Sequence, residues 1–140
     1  MLPSLPGTYA LALRLAQPAP LLLRGQATEA PPGVYVYVGS AQGPGGVAAR
    51  LGRHVRGAGR PRWHIDALRP HAEVVGWHVA LGHERLECLW AQALATAPGA
   101  SVPLAGFGAS DCQAGCRAHL VHFPLAVTLD DLWAALLLPA

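Results

Sequence analysis

Residues 34–56 read VYVYVGSAQGPGGVAARLGRHVR, and no other stretch restricts the fold as much. The first part is β-branched and aromatic, which suits a strand. The middle carries Gly39, Gly43, Gly45 and Gly46, which break any regular element. The end sets Val47, Ala48, Leu51 and Val55 on one helical face, with Arg50 and His54 four apart on a neighbouring stripe. A strand, a glycine loop and a helix in that order often form a phosphate site, and the loop leaves room for an anion at the helix N-terminus. Two standard phosphate sites are excluded. The P-loop needs a lysine, and the chain has none. The dinucleotide fingerprint needs G-x-G-x-x-G, and these four glycines have the wrong spacing.

The remaining segments supply partners for this unit. TYALALRL (8–15) alternates and predicts a first strand, with Tyr9, Leu11, Leu13 and Leu15 on one face. Residues 16–32 read as a long connection with room for a short strand at LLLRG, and residues 33–40 as a second strand, antiparallel to the first. A helix is expected at 47–56, a loop at 57–63, a helical turn at HIDALR and a third strand at 72–81. HERLECLWAQALAT (83–96) predicts the second main helix, with Glu87 at the margin of its apolar stripe. A loop over 97–117 and a short strand at 118–123 follow, then a helix capped by Thr128 with Asp130 and Asp131 in its first turn. At 140 residues, 52% hydrophobic and 13% charged, the chain suits one packed domain. Its core is expected at about 7–123, with a helical extension over 124–140.

Charge narrows the partner. All ten basic residues are arginine. Residues 50–69 hold six of them (Arg50, Arg53, Arg56, Arg60, Arg62 and Arg69) against one acid, Asp66, while the rest of the chain has four against seven acids. A local basic patch on a chain of net charge +2 predicts an anionic partner at one place, such as a nucleic-acid backbone. No stretch approaches the roughly 20 apolar residues of a membrane helix, and no signal peptide is expected. Three cysteines make no disulfide framework, so a cytoplasmic protein with reduced thiols is the expectation.

Tyr9, Tyr37, Arg50, His54 and Glu87 could converge, and together they suit phosphodiester hydrolysis. Arginine stabilises charge on the phosphoryl transition state. A lone glutamate can hold one divalent metal, which polarises the phosphate and the leaving oxygen. A tyrosine made more acidic by nearby positive charge can take a proton from water. Each residue also has a plain structural reading: cross-strand aromatics, a surface arginine, a Glu87–Arg50 ion pair.

At these residues the chain resembles the GIY-YIG nuclease superfamily. Gly7-Thr8-Tyr9 stands for the first tripeptide and Tyr37-Val38-Gly39 for the second, with Arg50, His54 and Glu87 in order behind them. It is similar, more closely, to an uncharacterised subfamily of small prokaryotic proteins also found joined to endonuclease III-type DNA glycosylases. The matching segments are GTY (7–9), YVYVGSA (35–41), GPGG (43–46), RLGRH (50–54), WHID (63–66), Glu87-Cys88 and GFGASDC (106–112) followed by His119-Leu120. The resemblance implies an α+β fold, a small three-stranded antiparallel sheet flanked by helices. It implies a metal-dependent endonuclease acting on DNA, linked to repair or processing, with no covalent intermediate. Tyr37 would be the general base, Tyr9 would assist, Arg50 would bind the scissile phosphate, and Glu87 would bind Mg2+ or Mn2+. The implied partners are DNA and a DNA-repair protein. The two tyrosines stand 28 residues apart, further than the superfamily pattern, and that stretched spacing favours an alternative, a non-catalytic nucleic-acid-binding module on the same scaffold.

Three further sets follow. His64 could touch phosphate or a metal-bound water, with Asp66 orienting an imidazole. Arg53, Arg56, Arg60 and Arg62 are the expected nucleic-acid contacts. Cys112, Cys116 and His119, with His122 as a fourth ligand, invite a zinc reading, although a strand would send the two histidines to opposite faces. A GFGASDC loop folded on the site, with Ser110 and Asp111 making turn bonds, is preferred to zinc.

Overall fold

The computed structural model describes residues 2–23, 25–57, 64–104 and 119–137. Strand β1 (Gly7–Leu15) is buried at every residue except Arg14. Its odd residues Tyr9, Leu11, Leu13 and Leu15 enter one core and its small even residues Ala10 and Ala12 enter another. A strand buried on both faces must be central, and β1 is. The sheet runs β5-β1-β4-β6, with β4 at Gly33–Ala41, β5 at Glu73–Leu81 and β6 at Leu120–Phe123, all pairs antiparallel. The α+β class holds, but the sheet has four strands rather than the expected three: the short segment before Pro124 adds β6 to the open side of β4.

The long connection after β1 is a hairpin of its own, β2 (Ala19–Leu23) with β3 (Gln26–Ala30). It leaves the sheet at the Leu15↔Gly33 end of the β1–β4 ladder, whose register runs unbroken to Gly7↔Ala41. The two tyrosines therefore stay aligned, whatever their separation in the chain.

Helices cover both faces. On the tyrosine face lie the hairpin, α1 (Gly46–Arg56) through Val47 and Leu51, and α2 (Ile65–Leu68) through Ile65 and Leu68. On the other face, Val34, Val36 and Val38 of β4 meet α3 (Glu87–Ala95) through Trp90 and Leu94, and α4 (Leu129–Leu137) through Leu132 and Ala135. Helix α3 starts at Glu87 rather than at 83, because Thr8 Oγ1 accepts the Leu86 N–H (3.1 Å) and fixes the chain just before the helix. Thr128 caps α4 as expected, its Oγ1 taking the Asp131 N–H at 3.1 Å. Among the described residues, no helix is long and apolar enough to cross a membrane.

Candidate functional site

The N-terminus of α1 is not an anion site. Gly45 and Gly46 take the left-handed conformation (φ 82° and 56°), and a methyl group on Gly46 would come within 2.2 Å of the Leu5 carbonyl. That contact lets the N-terminal segment cap the helix. Leu5 and Pro3 carbonyls accept from Val47 and Ala48, and Gly43 and Gly45 accept from Gly46 and Ala49. The four donors that would cradle a phosphate are spent within the chain.

The tyrosines, by contrast, do converge. Gly39 pairs with Tyr9 across the ladder, and Tyr37 stands one row along opposite Leu11. Tyr9 lies over Gly39 so closely that a Cβ there would meet the hydroxyl at 2.4 Å, which is why the second tripeptide ends in glycine. The ring centres of Tyr9 and Tyr37 are 6.4 Å apart, and His54 from α1 closes the triangle at 5.9 Å from Tyr9 and 5.7 Å from Tyr37, edge-on to the latter. Arg50, one turn earlier, donates Nη1–H to the Ser40 carbonyl at 2.8 Å. The helical stripe read from the sequence delivers both side chains, but His54 sits inside the core rather than at its border.

Burial dominates the electrostatics. Tyr9, His54 and Tyr37 are 0, 1 and 4% exposed. Burial pushes the Tyr37 phenol up to about 12, against a smaller downward pull from Arg50. Tyr9 is raised further, by burial first and then by Tyr37, with Arg50 again opposing. The guanidinium is close enough to act on the Tyr9 hydroxyl, yet that oxygen has no hydrogen bond of ordinary geometry. Arg50 pulls both phenols in the acidifying direction that the sequence suggests, but burial outweighs it. His54 moves the other way, down to about 4, because burial and the two arginines outweigh Asp66.

Glu87 lies on the other face of the sheet, tied to β1 through its neighbour Leu86. Thr8, opposite Ser40 in the ladder, holds Leu86, and Glu87 follows as the first residue of α3. Among the described residues Glu87 makes no ion pair with Arg50, and its Oε2 is buried without a hydrogen-bond partner, as is Ser40 Oγ. Buried polar atoms of this kind call for an occupant. A single carboxylate with an unsatisfied oxygen fits Mg2+ or Mn2+, which keep most of their water and need only one or two protein carboxylates. No group of three His, Cys, Asp or Glu gathers among the described residues.

Two arginines of the basic patch, Arg53 and Arg69, are engaged within the fold. Arg53 Nη1 binds both Asp66 oxygens (3.0 and 3.3 Å), tying α1 to α2, so Asp66 holds an arginine as well as acting on His54. Arg69 donates to the His54, Val55 and Ala72 carbonyls at 2.8–3.0 Å and closes the C-terminus of α1. Arg56 is exposed and remains a candidate contact, while Arg60 and Arg62 lie outside the described residues. His64 stands half-buried at the start of α2. Of the zinc set, His119 Nε2 faces Cys88 Sγ at 3.6 Å, and His122 contacts Ser101 Oγ and the Pro32 carbonyl. The two histidines turn to different neighbours, and Cys112, Cys116, Ser110 and Asp111 lie outside the described residues.

A family model, that of the domain of unknown function DUF123, matches residues 8–137. The chain belongs to the DUF123 family. No curated protein and no solved structure matches it. The DUF123 match runs from β1 to the end of α4, and Leu132 and Ala135 of α4 lie in the second core. The segment expected as an extension is thus an integral layer of this DUF123 fold. Sequence reading missed Ser40 and Thr8, which join the two faces at the site. The strand-pairing register alone would have set these two residues opposite each other.

Proposed function

We propose that this DUF123 domain is a divalent-metal-dependent endonuclease of the GIY-YIG type, cutting phosphodiester bonds in DNA during repair or processing, alongside a DNA-repair protein. The observation that carries the reading is the convergence of Tyr9, Tyr37 and His54, with Arg50 one helical turn away on the Ser40 carbonyl. Arg50 would exchange its bond to the Ser40 carbonyl for a bond to a phosphate oxygen. Glu87 would hold Mg2+ or Mn2+, which supplies Lewis acidity toward the phosphate. With both phenols protonated, Tyr37 orients the attacking water, and neutral His54 is the group in the cluster that is in its basic form at neutral pH. Nicking assays on duplex, branched and damaged DNA with Mg2+ or Mn2+ test this. Cleavage by the native chain is expected, with loss on Glu87→Gln and a Mn2+ calorimetric signal that falls with the same substitution. Absence of cleavage on every substrate, with unchanged Mn2+ binding in Glu87→Gln, overturns it.

The near-complete burial of Tyr9, Tyr37 and His54 favours a second reading, a non-catalytic DNA-binding module. It predicts salt-sensitive DNA binding, weakened by Arg56→Ala, with no cutting.

A further inference from the structure

Strand β5 carries its side chains the wrong way round for a strand at the edge of a sheet. A strand with one covered face sets apolar residues toward the core and polar ones toward water. In β5 the polar His78 points into the covered face, where its ring stacks on Trp133 and tilts against Trp90. The other face of β5, the tyrosine face, carries Trp77, Val79 and Leu81 at alternate positions, opposite Leu11, Tyr9 and Gly7 of β1. Helix α1 packs over β1 and β4 on that face. The cover thins at β5, where Val79 is half-buried and Trp77 and Leu81 are 42 and 52% exposed. Single apolar residues scattered over a surface need no explanation. An open tryptophan beside an open leucine, on a strand whose histidine is turned inward, does.

Its place in the sheet says what it can meet. Trp77, Leu11 and Tyr37 form one row across β5, β1 and β4, and Val79, Tyr9 and Gly39 form the next. The Cα atoms of Trp77 and Tyr37 are therefore about 10 Å apart, two strand spacings. That is on the order of three stacked base steps along a DNA strand. An indole stacks on any base that is out of the helix, whereas a base inside an intact duplex has both faces covered by its neighbours. We propose that Trp77 is a stacking platform for an unpaired base of the same DNA strand whose phosphate meets Arg50. The substrate class is then DNA with unpaired bases, single-stranded or bulged, in preference to intact duplex. This rests on the reading of the Tyr9–Tyr37–Arg50 site as one that binds DNA. Val79 and Leu81 extend the platform as an apolar shelf along β5.

The test follows dye-labelled DNA by fluorescence anisotropy at low salt, with Ca2+ in place of Mg2+ or Mn2+. The probes are a single strand, a duplex with a bulged base and the fully paired duplex. The native chain is expected to bind the first two more tightly than the third. Trp77→Ala should weaken the unpaired probes by about 5- to 100-fold, the cost of one lost base–aromatic stack, and leave the paired duplex nearly unchanged. Trp77→Phe should recover most of the loss. A single strand carrying iodouracil, irradiated on the native chain, should crosslink to Trp77, a readout that needs no substitution. Equal affinity of the native and Trp77→Ala chains for the unpaired probes overturns the proposal, as does an equal loss on every probe or a crosslink map without Trp77. A Trp77→Ala chain with intact DNA binding and a changed oligomeric state assigns the strip to a protein contact and also overturns it. If the native chain binds no probe, the DNA reading itself fails; binding to which Trp77 contributes nothing sinks this proposal alone.

Discussion

His54 is the side chain on which pH acts most directly. Burial lowers its pKa from 6.5 to about 4, so the folded chain keeps the imidazole neutral where the unfolded chain takes up a proton. Below the unfolded value the unfolded state binds more protons, and stability falls with falling pH until both forms are protonated. The shift is worth at most about 3 kcal/mol. Urea unfolding at steps between pH 7 and pH 4 should show that loss, and His54→Gln should flatten it. Gly39 is the second sensitive residue. Gly39→Ala drives a methyl group against Tyr9 and is expected to cost about 1–3 kcal/mol in urea unfolding, because both tyrosine and strand are held from behind. Tyr9, Tyr37, Arg50 and His54 as candidates, and the shared helical stripe of Arg50 and His54, were legible in the sequence. The depth of their burial was not, since periodicity gives a side chain's direction and says nothing of what lies over it.

At the level of elements, Arg69 closes the C-terminus of α1 from outside the helix. Arg69→Ala leaves the last carbonyls of the helix without their donor and is expected to cost about 1–3 kcal/mol in thermal or urea unfolding. Arg69→Lys should recover only part, because one ammonium cannot reproduce the fork. The salt dependence of DNA binding should be the same for both variants, which separates Arg69 from an arginine that meets phosphate. The sequence showed β1, β4, β5 and α1 to within a residue or two because their apolar periods are clean. The short strand expected at LLLRG is β2, but its pairing with β3 escaped, because Pro20, Gly25 and Pro31 punctuate the hairpin and its strands pair with each other rather than with the sheet. The polar ties also escaped: Thr8 to Leu86, Arg53 to Asp66 and Leu5 to Val47 join positions far apart in the chain, and no local pattern encodes them.

For the whole molecule, the strand order matters most. Strand β1 is flanked by β4 and β5, which cover both of its hydrogen-bonding edges. A chain cut after residue 72 lacks β5 and bares one edge of an apolar strand, so it is expected to self-associate, with light scattering rising steeply where the full chain stays clear. The same order has a consequence in time. The central strand is the first of the six, and its partners begin 18 and 58 residues after its last residue. At common synthesis rates the second partner reaches the ribosome exit about 3 to 12 seconds after the strand it completes. During that interval a strand destined for burial on both faces is a nascent segment in need of shelter, and the pace of translation sets how long it must wait.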